Sequence, residues 1–247
     1  MNVKLHLRSR LQPFRGRDEW LPIELERELP AAKLAIIVCD MWDHHWCKSA
    51  ERRGIEIAHR MERVLNTARD QGMTIIHAPS ETMAFYADWP QRRRAMDLPP
   101  AELPTPIDVP EPAMPVDTTA SSCDDQPECT YTPGKWPWTR QMDILTIADE
   151  DYITDVGQEV LNIRQRRGIE LLLIMGVHTN MCILNRSFAI RNMTRHGVPI
   201  ALVRDLTDAM YNPRMAPFVS HDAGTALVIE HIEKHWCPSL LSRDLVA

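Results

Sequence analysis

The chain predicts an α/β fold, a doubly wound parallel sheet of six strands in the order 3-2-1-4-5-6 with helices on both faces. Three observations predict it. Short apolar runs (Leu34–Cys39, Met73–His77, Leu171–Met175, Val198–Val203) read as strands buried on both faces. Segments with helical apolar spacing alternate with them, and Gly72, Gly168 and Gly197 stand where helices would stop. Strands alternating with helices form right-handed βαβ units, which build a Rossmann-like sheet.

Residues 1–30 read as an N-terminal arm; over Met1–Pro13, Val3, Leu5 and Leu7 alternate with Lys4, His6 and Arg8 as in a short strand or an arm, and the apolar core of a signal peptide is missing. The domain proper is expected over residues 31–247. Its first strand, Leu34–Cys39, ends in Asp40. A helix from Ser49 to Gln71 carries the stripe Ile55, Ile57, Ala58, Met61, Val64, Leu65 and Ala68. The second strand ends at His77. From Pro79 to Pro137 lie 12 of the 19 prolines, so residues 80–140 read as a Pro-rich insertion with little regular structure, a lid or an exposed loop. Asp143–Ile147 is expected as the third strand, 154–167 as a helix and Leu171–Met175 as the fourth strand. A helix over Asn185–His196, a fifth strand over Val198–Val203, a helix over Ser220–His235 and a short sixth strand over Pro238–Leu241 complete the chain.

Composition narrows the function. With 247 residues, 44% apolar and 25% charged, the chain can build a proper core, and its net charge of -6 argues against a nucleic-acid or anionic-membrane surface. No apolar run is long enough to span a bilayer. The six cysteines include no Cys-x-x-Cys pair; Cys123 and Cys129 bracket a polar turn and could close a local disulfide in an oxidising compartment.

In this strand order the first and fourth strands are neighbours at the switch point where ligands bind. Asp40 ends one and Cys182 follows the other, so a carboxylate should face a thiol across the crevice, with His77 one strand further out. Cys182 also sits at the start of a helix, which would lower its pKa and expose a thiolate near neutral pH. The loop Met41-Trp-Asp-His-His-Trp-Cys47 supplies Trp42 and Trp46 as pocket walls, and Asp43, His44, His45 and Cys47 as conceivable metal ligands without a second ligand cluster.

Val38-Cys-Asp-Met41 and Gly176-Val-His-Thr-Asn-Met-Cys-Ile183 resemble the two signatures of the isochorismatase-like cysteine hydrolases, whose members include nicotinamidase, carbamoylsarcosine amidase and ureidoacrylate hydrolase. The resemblance implies an Asp-Lys-Cys triad, a cis peptide before His178, and an oxyanion hole from the backbone N–H groups of His178 and Cys182, each donor worth ~3 kcal/mol. The family's lysine near the third strand is absent; of the five lysines, Lys135 in Gly134-Lys-Trp-Pro-Trp138 lies on the lead-in to it and Lys48 is the other choice. The Asp-x-His element of the metal-binding members is replaced by Asp88-Trp-Pro90.

The expectation is therefore an amidase-type cysteine hydrolase with catalytic Asp40, Lys135 and Cys182. Its oxyanion hole is His178 and Cys182, and its substrate contacts are Trp42, Asp43, His77, Trp136, His178 and Asn180. No cofactor and no metal are expected. The substrate is a small molecule, with no nucleic-acid or membrane partner, in a cytoplasmic homo-oligomer; a processed exported form is the alternative. The rival functions are a catalytically silent binding module and a metal-dependent enzyme using the loop from Asp43 to Cys47.

Overall fold

A computed structural model describes every residue except Tyr131, Pro133 and Ala247. The N-terminal stretch is a hairpin, β1 (Asn2–Leu11) and β2 (Leu21–Pro30), paired antiparallel from Asn2↔Pro30 to Leu11↔Leu21. There follow β3 (Leu34–Cys39), α1 (Lys48–Asp70), β4 (Thr74–Ala78), α2 (Pro90–Met96), β5 (Tyr152–Ile153), α3 (Gly157–Arg167) and β6 (Leu171–Val177). The chain ends with α4 (Cys182–Asn185), α5 (Ile190–Arg195), β7 (Ile200–Asp208), α6 (His221–His235) and β8 (Ser239–Leu240). The strands form one sheet in the order β2-β1-β8-β7-β6-β3-β4-β5.

Counted alone, the parallel strands β3 to β8 run in the expected 3-2-1-4-5-6 order, but the sheet has eight strands rather than six. The extra two come from the N-terminal stretch. β1 buries Val3, Leu5 and Leu7 and pairs with β8, and its Arg8 and Arg10 reach the buried Glu233 at 2.8 and 3.2 Å. Alternation along β1 was a strand signal, and a buried carboxylate on α6 holds that strand in place.

Side-chain alternation on β3 divides the core into two layers. Leu34, Ile36 and Val38 pack with the α1 stripe, while Ala35, Ile37 and Cys39 pack with residues of α3, α5 and α6. The stripe on α1 is as expected except at Ile55, which faces outward, Ala50 and Gly54 taking part instead.

Three elements differ from expectation. The stretch Asp143–Ile147 is a turn, because Met142 and Leu145 both drop into the layer under α1 and Leu145 N–H donates to Met142 O. The edge strand is β5, where Tyr152 and Ile153 pair with Ile76 and His77. The helix over 185–196 is broken into α4 and α5, with Arg186 extended between them (φ -60°, ψ 154°). Within the Pro-rich insertion, α2 starts from Pro90 at its first turn, the position proline tolerates. Beyond α2 the described residues up to Gln141 hold neither helix nor strand, until Gln141 bridges to Trp42 and returns the chain to the C-terminal end of β3. Among the described residues no helix is long and apolar enough to cross a membrane.

Candidate active site

Two close approaches bring the ends of β3 and β6 together. Gly176 has φ 120°, and a Cβ there would lie 2.0 Å from the Cys39 carbonyl oxygen, so only glycine lets β6 run this close to β3. Asp40 turns out of β3 with φ 50°, a left-handed conformation that Asp tolerates better than most residues and that occurs at functional sites. The Val177–His178 peptide is cis, as the resemblance implies.

The Asp40 carboxylate is completely buried. Its Oδ1 accepts from Ser80 N–H at 2.8 Å, and its Oδ2 accepts from Arg186 Nε at 2.9 Å. Arg186 also reaches Glu81 at 3.2 Å. The Cys182 thiol interacts with the same carboxylate and with the backbone of His178.

Arg186, not Lys135, is the cation at Asp40. Lys135 lies exposed in the insertion, and Lys48 is exposed and paired with Glu51 at 3.5 Å. Arg186 follows Cys182 by one helical turn, and the break after α4 leaves its side chain free to fold back on Asp40. A search confined to lysines passes over it; the usable signal was a permanent cation four residues after the cysteine.

The electrostatics correct a second expectation. Burial, then the charge of Asp40, pushes the Cys182 thiol well above its ordinary pKa, and Arg186 opposes this only in part. Burial raises the Asp40 carboxyl as well, against the pull of Arg186 and its hydrogen bonds. With α4 only four residues long, its N-terminus does not offset the burial of the thiol. Burial favours the protonated thiol at rest, with the raised Asp40 carboxyl beside it.

A cleft of about 270 Å³ opens over Cys182. Trp42, Trp136 and Trp138 form one wall, stacked at centroid separations of 4.0 Å (Trp42–Trp138) and 4.9 Å (Trp136–Trp138). His45, Trp46, His178, Met181 and Met210 line the rest, with Glu81, Ala120, Ser121 and Arg186. His45 and His178 face each other with Nε2 atoms 3.3 Å apart, and burial lowers their pKa values to about 4 and about 3, so both are neutral. Trp138 Nε1 and His178 Nδ1 are buried without a hydrogen-bond partner among the described residues.

Of the expected substrate contacts, Trp42, Trp136 and His178 line this cleft. Asp43 instead accepts from Thr139 N–H (2.9 Å) and Thr139 Oγ1 (2.6 Å), pinning the end of the insertion. His77 is buried between Gln141 and Asp151 at 2.9 and 3.0 Å, holding β4 to the loop before β5. Asn180 exchanges hydrogen bonds with the backbone of Met210 at 2.8 and 2.9 Å. The conceivable metal loop also disperses: Asp43 turns to Thr139, His44 is exposed, His45 faces His178, and Cys47 lies against Cys123. These four residues do not form one site.

No family model matches the chain, and no curated protein sequence matches it. Solved structures do. A cysteine hydrolase from Pseudomonas syringae pv. phaseolicola 1448A is similar with TM-score 0.54 and 15% identity, over 88% of this chain and 92% of that one. A putative isochorismatase from Burkholderia xenovorans LB400 gives TM-score 0.51 and 12% identity, over 87% of this chain and 86% of that one. An isochorismatase from Pseudomonas putida KT2440 gives 0.50 and 11%, over 87% and 91%. The chain has the isochorismatase-like fold.

Proposed function

We propose that the protein is a cysteine-dependent hydrolase of a small molecule, cleaving an amide or ureido C–N bond through a thioester. The observation that carries this reading is the shared Asp40 carboxylate, held by Arg186 on one side and facing on the other the Cys182 thiol, which lines an aromatic cleft. A raised carboxyl makes a stronger base, which suits a carboxylate that must take a proton from a thiol of high pKa.

As Cys182 Sγ attacks the substrate carbonyl, its proton passes to Asp40, so the thiolate exists only as the new C–S bond forms. The N–H groups of His178, whose backbone interacts with the thiol, and of Cys182 receive the developing oxyanion. Asp40 then gives its proton to the departing amine, leaving a thioester. Water attacks the thioester with Asp40 as base; the C–S bond breaks, an acid leaves, and the thiol is restored. Arg186 holds the carboxylate in place, and its charge favours the ionised form of either partner.

The cleft favours a small substrate with a flat or apolar body against the tryptophan wall. Glu81, Ser121 and Arg186 are polar side chains of the cleft lining that can orient it. The test is incubation with a panel of small amides and ureido compounds, reading amine release and the intact mass of the protein. An acyl adduct on Cys182 that hydrolyses with turnover supports the reading. Failure of every compound to acylate Cys182, with a ligand nonetheless bound in the cleft, would leave a silent binding module.

A further inference from the structure

Beside the cleft, on the far side of Trp46, Met181 and Met210, a second group of sulfur atoms has no part in the proposed reaction. Cys47 ends the loop before α1, while Cys123 and Cys129 belong to the Pro-rich insertion. All are free thiols, with Cys47 and Cys123 Sγ atoms 2.9 Å apart. They converge on one oxygen: Asp125 Oδ2 lies 3.5 Å from Cys47 Sγ, 3.4 Å from Cys123 Sγ and 3.0 Å from Cys129 Sγ.

We propose that Cys47, Cys123, Cys129 and Asp125 bind one zinc ion that fastens the Pro-rich insertion to the start of α1. Three thiolates and a carboxylate make a four-donor set of the kind tetrahedral zinc takes. Cys47, Cys123 and Asp125 alone already place their donor atoms within 4.8 Å of one another. Zinc about 2.3 Å from each sulfur would hold Cys47 and Cys123 Sγ about 3.8 Å apart, a separation reached by less than 1 Å of side-chain movement.

The surroundings suit the negative charge such a site gathers. Backbone N–H groups at the start of α1 face it: Ser49 N–H donates to Asp125 Oδ2 at 3.1 Å, that of Ala50 interacts with Cys47 and that of Lys48 with Cys129. Arg53 pairs with Asp124 at 2.8 Å, beside the cluster. Ser49 Oγ also donates to Asp125, fixing the carboxylate as outer hydrogen bonds fix metal ligands. Met210, Ala50 and Trp46 pack against the cluster, in which Cys47 and Cys123 are buried and Cys129 is half-buried.

The fold gives the ion a task. From Asp97 to Arg140 the described chain has no helix or strand to hold it, yet Ala120 and Ser121 form part of the cleft wall. A metal tie at Cys123, Asp125 and Cys129 would do what ladder hydrogen bonds do elsewhere. A disulfide between two of the thiols would leave the third as a lone thiol beside Asp125.

The experiment is elemental analysis of the full chain, purified without added metal and dialysed against a weak chelator. Zinc near one per chain is expected, and Cys182→Ser should keep it. Cys129→Ser and Asp125→Asn, chosen because Cys129 is only half-buried and the Asn change is nearly isosteric, should each lose at least tenfold in zinc affinity. Should either variant fail to fold, wild-type protein exchanged with cobalt(II) must show intense thiolate-to-cobalt absorption. Zinc well below one per chain, zinc unchanged in both variants, or cobalt without thiolate absorption overturns the proposal. So does a thiol count of four rather than six after denaturation with a chelator, which would mark a disulfide.

Discussion

Two sulfur centres lie on either side of Trp46, Met181 and Met210, built from the same materials and arranged for opposite ends. At the ends of β3 and β6, one thiol meets one carboxylate, with Arg186 alongside and an open cleft above. At the start of α1, three thiols crowd one carboxylate under apolar cover. Burial and a neighbouring carboxylate raise the thiol at both: Cys182 is pushed well above its ordinary value, and hydrogen bonding to Asp125 pushes Cys129 up to about 11. What separates them is where the proton can go. Asp40 is itself raised and can take it, whereas Asp125, held low by Ser49 and the thiols, is a poor base. A carboxylate of the first kind suits proton transfer, and one of the second kind suits holding a cation.

The sharpest way to break this comparison is to exchange the sulfurs one at a time. Cys182→Ser should lower turnover by ~10³-fold or more while leaving thermal stability nearly unchanged, because a serine hydroxyl is far less readily deprotonated. Amine release and a melting curve measure the two. Loss of activity from Cys47→Ser with Cys182→Ser still active would invert the roles assigned here.

Arg186 gives the next largest effect. Arg186→Ala removes the cation from a buried carboxylate, so the Asp40 carboxyl should rise further and the acidic limb of the pH–rate profile should move to higher pH. Turnover should fall on the order of 10²-fold, since a positioned ionised base is worth that much. Arg186→Lys should recover part of it, and Lys135→Ala should stay within about twofold, as its exposed position requires. A larger loss from Lys135→Ala than from Arg186→Ala would restore the lysine.

Much of the first centre is legible in the sequence, and almost none of the second. Asp40 and Cys182 can be placed because each follows a run buried on both faces, and such runs announce parallel neighbours. Arg186 is harder to place: its spacing from Cys182 is the one signal, and the break between α4 and α5 has no proline or glycine to mark it. β5 is only two residues long, too short to carry any period, and the stronger apolar pattern at 143–147 belongs to side chains packing from a turn. The thiol cluster joins Cys47 to residues 76 and more positions away, through a Pro-rich path without periodicity. Its likeness to a local Cys123–Cys129 disulfide came from spacing alone, while in space Cys123 faces Cys47.

Acid should act on the cleft through His45 and His178. Both have folded pKa values below the unfolded value of about 6.5, so the unfolded chain binds their protons first. Their effect on stability is absent above about pH 6.5 and grows as pH falls towards about 4 for His45 and about 3 for His178. Each costs roughly 1.4 kcal/mol per pH unit over that window. Denaturant midpoints at pH 7.5 and 5.5 check the sign: His45→Gln should lose less stability over this interval than the wild type. An equal or greater loss in the variant would mean that His45 is not the neutral group inferred from its burial.

The smallest expected effect separates the two jobs of the tryptophan wall. Trp138 stacks on Trp42 at 4.0 Å with planes 6° apart, and its Nε1 has no partner among the described residues. Trp138→Phe keeps a ring in the stack and removes only the N–H. That N–H is buried, so KM and kcat should both stay within about twofold of the wild type. Trp138→Ala removes the stack as well, and should raise KM and loosen the bridge between Gln141 and Trp42. If Phe behaves as wild type and Ala alone is impaired, the wall works by stacking and the N–H has no part in orientation. If Phe lowers kcat without moving KM, the N–H acts on the reacting carbonyl, and the oxyanion donors are not confined to the backbone of His178 and Cys182.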